Sequence, residues 1–159
     1  MKDIKLAYHN IIGQDQRCFI IAEIGSNHDN SFSKAINLID KARDAGADAV
    51  KFQIFTADNH YSKYTPGFKY LKKKNTYSLI KSLEINRNWI TKLKNYCNRK
   101  KIIFFASPCD LDAVKLLNKI NVQLYKVASF DITDLNLIKS IAQNKRPIIL
   151  STGMCDHQD

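Results

Sequence analysis

Five short apolar runs punctuate the chain, at residues 19–25, 49–55, 102–108, 123–129 and 147–152. None alternates cleanly between apolar and polar, as expected of parallel strands covered on both faces. Between them the apolar period lengthens to that of a helix. Residues 33–45 put Ala35, Ile36, Ile39, Ala42 and Ala45 on one stripe, with Gly46 as the stop. Residues 89–100 group Trp89, Leu93, Tyr96 and Cys97. Two more helices are predicted over 110–119 and 135–144, N-capped by Asp110 and by Thr133 or Asp134. The repeated strand–helix order predicts a parallel α/β sheet. Residues 1–18 predict a short hairpin ahead of it. Residues 56–88 break the rhythm with Pro66 and Gly67 and predict an extended loop with a short helix near 76–82. Long loops of this kind are usually functional.

Alternation inside the strands separates their faces. In "AVKFQIF", Val50, Phe52 and Ile54 share one face, and Lys51 and Gln53 the other. Glu23 shares a face with Ile21, Ser107 with Ile103 and Phe105, and Ser151 with Ile149. Lys126 lies among apolar residues in "LYKVAS", which Ser129 ends. One face of each strand therefore turns polar, mostly towards its C-terminal end. A Ser or Gln at a strand end is usually a cap. A lysine in mid-strand is different, because a buried charge needs a counterion or a ligand. Two such lysines and an in-strand glutamate point to a site at the C-terminal ends of the strands, where parallel α/β folds bind ligands.

Composition narrows the class. The chain has 159 residues, 45% of them hydrophobic, which suits one globular domain. No apolar run approaches the roughly 20 residues of a membrane helix, and "MKDIKLAYHN" has no signal-peptide core. Cys18, Cys97, Cys109 and Cys155 form no CxxC pair, so a reduced, cytoplasmic protein is expected. The net charge of +10 and the run Lys72, Lys73, Lys74 read as a solvated face, since no nucleic-acid motif accompanies them. His9, His60 and His157 stand alone in the sequence. Cys109 follows Ser107 and Pro108 with no histidine near it in sequence, and reads as a small apolar residue. His28 follows the first strand, but one histidine makes no metal site. No GxGxxG, P-loop or GxSxG motif occurs.

The blocks "IIAEIGSNH", "AGADAVKFQ", "TYSLIKSLEINRNWITKLKNYC", "FFASPCDLDAVKLL", "YKVASFDITDLNLI" and "RPIILSTGM" resemble the N-terminal part of the sialic acid synthase family, which makes N-acetylneuraminate, legionaminate and pseudaminate. The resemblance implies a (β/α)8 TIM-type barrel, here truncated to about five β/α units. It implies condensation of phosphoenolpyruvate with an acylated amino sugar, N-acetylmannosamine or a diacetamido hexose, giving a nonulosonate and phosphate. A divalent metal, manganese or magnesium, is expected to polarise the sugar aldehyde. In the family its histidine ligands lie beyond this segment, so no metal ligand is expected in this chain.

By the same resemblance, Lys51, Lys126, Ser107 and Ser129 match positions that hold the carboxylate end of phosphoenolpyruvate. Ser151, Thr152 and Gly153 match the phosphate-binding turn. Gln53 and Glu23 face the sugar, with Glu23 a candidate for proton transfer or for holding a hydroxyl. Asn27 and His28 shape the loop. Where the neuraminate branch has Gly-Ser-Gly-Glu, this chain has Ala128-Ser129-Phe130-Asp131, closer to the pseudaminate or legionaminate branch; Asp131 is a second catalytic candidate, one methylene shorter.

A full barrel needs about 250 residues. The C-terminal barrel half and the family's antifreeze-like domain are therefore expected to be absent from residues 1–159, and the chain is expected to be inactive alone. It is also expected to form a homo-oligomer or to associate with a missing C-terminal half. Two other readings stand beside this one: a different phosphoenolpyruvate-dependent deoxy-sugar-acid synthase, and a catalytically dead fragment acting by binding or assembly.

Overall fold

The computed structural model describes residues 3–67 and 75–156. The lysine run at 72–74 and His157 lie outside the described residues. The chain opens with the expected hairpin, β1 (Ile4–Lys5) antiparallel to β2 (Ile11–Ile12). Alternating strands and helices follow: β3 (Ile21–Gly25), α1 (Phe32–Asp44), β4 (Ala49–Ile54), α2 (Ala57–His60), α3 (Thr76–Leu83), α4 (Ile90–Lys100), β5 (Ile103–Pro108), α5 (Leu111–Lys119), β6 (Tyr125–Val127), α6 (Leu135–Ala142) and β7 (Ile148–Leu150). β3, β4 and β5 pair in that order and β6 pairs with β7, all parallel. The two sheets adjoin along β5 and β6. Among the described residues, no helix is long and apolar enough to cross a membrane.

The helices begin where side-chain oxygens satisfy free backbone donors. Ser31 accepts from the Lys34 amide, Asp110 from Ala113 and Asp134 from Leu137. Asp134, rather than Thr133, is thus the cap of α6. After α1 the chain reverses at Gly46, whose φ of +86° a side chain would disfavour.

Two apolar layers hold the fold. The larger lies between sheet and helices and contains Ile24, Val50, Phe52, Ile54, Phe104, Ala106 and Val127 packed on Ile39, Leu93, Val114 and Leu137. The smaller, on the opposite sheet face, joins Ala49, Ile103, Phe105 and Leu124 with Ile21 and Ile149. In a barrel this second face is the interior. The hairpin closes its N-terminal end: Leu6 packs against this layer, and the Ala7 amide donates to Gln123 Oε1 at 2.6 Å.

Several strand boundaries differ from the sequence reading; β3 begins at Ile21 and β6 at Tyr125, each two residues later than expected. β6 stops at Val127, and Ser129–Asp131 form a turn of 3-10 helix in which the Asp131 amide donates to the Ala128 carbonyl at 3.0 Å. β7 stops at Leu150, so Ser151 lies just past the strand while its amide still donates to the Val127 carbonyl at 3.1 Å. Among its described residues the long loop holds α2 as well as the expected helix near 76–82.

Candidate functional site

The polar face inferred from alternation is the inner face. Glu23 stands in register with Lys51, Gln53 with Ser107, and Lys126 with Ile149. Lys51 is 5% exposed, a charge taken almost wholly out of water. Its Nζ lies 2.6 Å from Glu23 Oε2 and donates to Ser107 Oγ at 3.3 Å. Glu23 itself is half-exposed, so the pair reaches from the interior to the mouth. Gly25 makes room for it. At φ +54° its backbone favours glycine, and a Cβ there would stand 3.0 Å from Glu23 Oε1 and 3.5 Å from Gln53 Oε1.

Lys126 occupies the next part of the mouth, with its Nζ 2.5 Å from Ser151 Oγ. Burial first, and then the neighbouring Lys51 ammonium, hold Lys126 below the ordinary lysine value. Gly153 folds back over Ser129, where a Cβ would lie 3.8 Å from that of Ser129. Lys51, Gln53, Ser107, Lys126, Ser129, Ser151 and Gly153 therefore gather at the C-terminal ends of the strands, with Glu23. Thr152 is exposed, and its carbonyl accepts from the Cys155 amide at 3.3 Å.

His28 lies apart from this group. It is fully buried on the helix side, stacked on Phe52 with ring centroids 6.3 Å apart. Its Nδ1 accepts from the Asn30 amide at 3.0 Å, across a turn in which Asp29 and Asn30 take positive φ. That geometry is a loop-shaping one.

Asp131 is buried, and burial pushes its carboxyl above the ordinary aspartate value. Its charge also reaches the mouth: Lys126 draws the Asp131 carboxyl down, against burial, and Asp131 in turn raises Lys126. Asp131 stands with two residues that the sequence reading set aside. Nitrogen of His60, Sγ of Cys109 and a carboxylate oxygen of Asp131 all lie within 4.8 Å of one another. The view of His60 as solitary, and of Cys109 as having no histidine near it, is corrected here. The three residues follow β4, β5 and β6 in three separate connections, which spacing along the sequence cannot show. The signal that was available is their common position just past strand C-termini. Burial, then the Asp131 charge, pushes the Cys109 thiol up. Thiol and imidazole are softer donors than the oxygen sets that manganese and magnesium favour. The cluster therefore does not fit the metal expected from the resemblance.

A parallel sheet layered by helices on one face, with lysines and hydroxyls at the C-terminal mouth of the other, defines a partial TIM-barrel unit. The chain belongs to the NeuB family, whose family model matches residues 38–159. It is 41% identical over 150 residues to spore coat polysaccharide biosynthesis protein SpsE of Bacillus subtilis, covering 93% of this chain and 40% of that protein. It is 35% identical to the N,N'-diacetyllegionaminic acid synthase of Legionella pneumophila, covering 92% and 43%. The crystal structure of the N-acetylneuraminic acid synthetase of Leptospira borgpetersenii superposes with a TM-score of 0.85 at 32% identity, covering 99% of this chain and 52% of that one. The chain thus spans about two fifths of the length of the curated relatives it matches.

Proposed function

We propose that this chain forms the phosphoenolpyruvate-binding part of a nonulosonate synthase, which joins phosphoenolpyruvate to an acylated amino sugar and releases phosphate. The observation that carries this reading is the convergence of Lys51 and Lys126 with Ser107 and Ser151 at one mouth. A multiply charged anion is recognised by cations and hydroxyl donors held in a partly dry site.

In this reading the ligand's carboxylate takes over the Lys51 ammonium and the Ser107 hydroxyl. Glu23, the present counterion at 2.6 Å, is displaced towards solvent. One carboxylate replaces another, so the buried Lys51 is never left unpaired. The ligand's phosphate lies towards Lys126, Ser151 and the turn at Gly153, which lies beside Ser129. Glu23, once released, stands beside Gln53 at the rim, where an amino sugar would enter and where a carboxylate can receive or return a proton. Similarity to a legionaminic acid synthase supports a diacetamido hexose as the sugar.

Calorimetric titration of the chain with phosphoenolpyruvate tests this. Lys51→Met is expected to weaken binding about 10- to 100-fold, the value of a lost charge-assisted contact. Lys92→Met, a change at an exposed position of α4 in the outer helix layer, is expected to leave it unchanged. Equal affinity in Lys51→Met and the parent chain would sink the assignment.

A further inference from the structure

The cluster of His60, Cys109 and Asp131 is not among the groups that hold the anion in the proposed function, and its make-up is not that of ordinary packing. Among the described residues, His60 Nε2 is fully buried with no hydrogen-bond partner. An orphaned buried ring nitrogen is costly unless something occupies it. The imidazole is held edge-on to Phe130, with centroids 5.9 Å apart and planes at 90°, and Phe130 in turn stacks on Tyr61. Cys109 is fixed by the end of β5 at Pro108, its amide donating to the Ile54 carbonyl at 3.0 Å. Asp131 is fixed by the 3-10 turn after β6. Three donors of three chemical kinds are thus anchored by three independent elements and face one another.

We propose that His60, Cys109 and Asp131 form a zinc site with three protein ligands and a fourth position open to the adjoining cavity. A tetrahedral zinc with bonds of about 2.0–2.3 Å sets its ligand atoms about 3.5 Å apart. The present donor atoms, all within 4.8 Å, need only a small side-chain rotation to close on an ion. On binding, Cys109 ligates as thiolate and its proton leaves to solvent. The set of one sulfur, one nitrogen and one oxygen suits zinc over manganese or magnesium.

Three protein ligands leave one coordination position unfilled, the arrangement of open rather than closed zinc sites. A cavity of about 190 Å³ lies beside the cluster and is lined by Gln53, Phe55, Tyr61, Ile80 and Ala128 as well as the three ligands. That is ample for a water or a hydroxyl-bearing ligand. Gln53 belongs to both this cavity and the inner-face mouth. The proposed ion would therefore sit at the border of the anion site, not inside it.

Cobalt(II) titration of the metal-free, reduced chain reads the site directly, with no activity required. The expected result is a 1:1 complex showing both tetrahedral visible bands and a thiolate charge-transfer band, displaced by zinc and not by manganese. Cys109→Ser is expected to lose the charge-transfer band, while Cys155→Ser retains it. His60→Gln and Asp131→Asn are expected to weaken zinc binding by at least about 100-fold, the upper end of the cost of disturbing a ligand's support. Should Cys109→Ser fold poorly, the cobalt spectra of the parent chain and Cys155→Ser still decide. The proposal is overturned by the absence of a thiolate band in the parent chain, by its survival in Cys109→Ser, or by preferential binding of manganese.

Discussion

Lys126 shows how a single residue can set a pH limit. Burial and the Lys51 ammonium hold it below the ordinary lysine value of 10.5, so it gives up its proton earlier as pH rises. Below its own pKa it is charged and can hold an anion; above it, that attraction is lost. Phosphoenolpyruvate affinity is therefore expected to decline on the alkaline side before an unperturbed lysine would titrate. Lys126→Arg, charged throughout, is expected to lack that early decline. Titrations at several pH values check this, and identical pH profiles for the two proteins would refute it. At this scale the sequence was informative where alternation applied: Glu23, Lys51, Gln53 and Ser107 all lie on the face their neighbours implied. It set His60 and Cys109 aside, because neither position lies in a run with a period from which a direction can be read.

Among the elements, α5 depends most visibly on one side chain. Asp110 accepts from the Ala113 amide at 2.8 Å with one oxygen and pairs with Arg87 through the other. It thereby starts α5 and ties it to the 3-10 turn Arg87–Trp89 that leads into α4. Asp110→Ala is expected to destabilise the fold by about 1–2 kcal/mol, roughly 1 of it from the cap. Asp110→Asn can keep the cap and lose the ion pair, and is expected to fall between. Urea midpoints at unchanged slope measure both; an Asn variant as unstable as the Ala variant would show that the pairing with Arg87, not the cap, matters. Caps and apolar stripes made most helices legible in advance. The 3-10 turn Ser129–Asp131 was not, since Ala128-Ser129-Phe130 continues a strand-like pattern and only the turn's own hydrogen bonds end it. The four-residue α2 is too short for a helical period to register.

The molecule as a whole is a pair of adjoining parallel sheets with helices packed on one face. Among the described residues, β3 and β7 each pair with a single neighbour, and Ile20 and Leu150 beside them are each 48% exposed. Unpaired strand edges with apolar neighbours favour association. The 159-residue chain by itself is therefore expected to sediment as dimers or larger species, with the monomer share rising on dilution. A monomer at every concentration would show that these edges are protected. The sheet's connectivity also bears on how it assembles. β3, β4 and β5 are neighbours in space in the order in which they occur along the chain, as are β6 and β7. Each new strand can dock on the edge left by the one before it, without waiting for a distant partner, which keeps chain-closure costs modest. Emerging from the ribosome, the chain would bring Lys51 beside Glu23 before Ser107, Lys126 or Ser151 had been synthesised. The Glu23–Lys51 pair would then act as an internal chaperone for the buried charge, neutralising it through the interval before the remaining strands arrive.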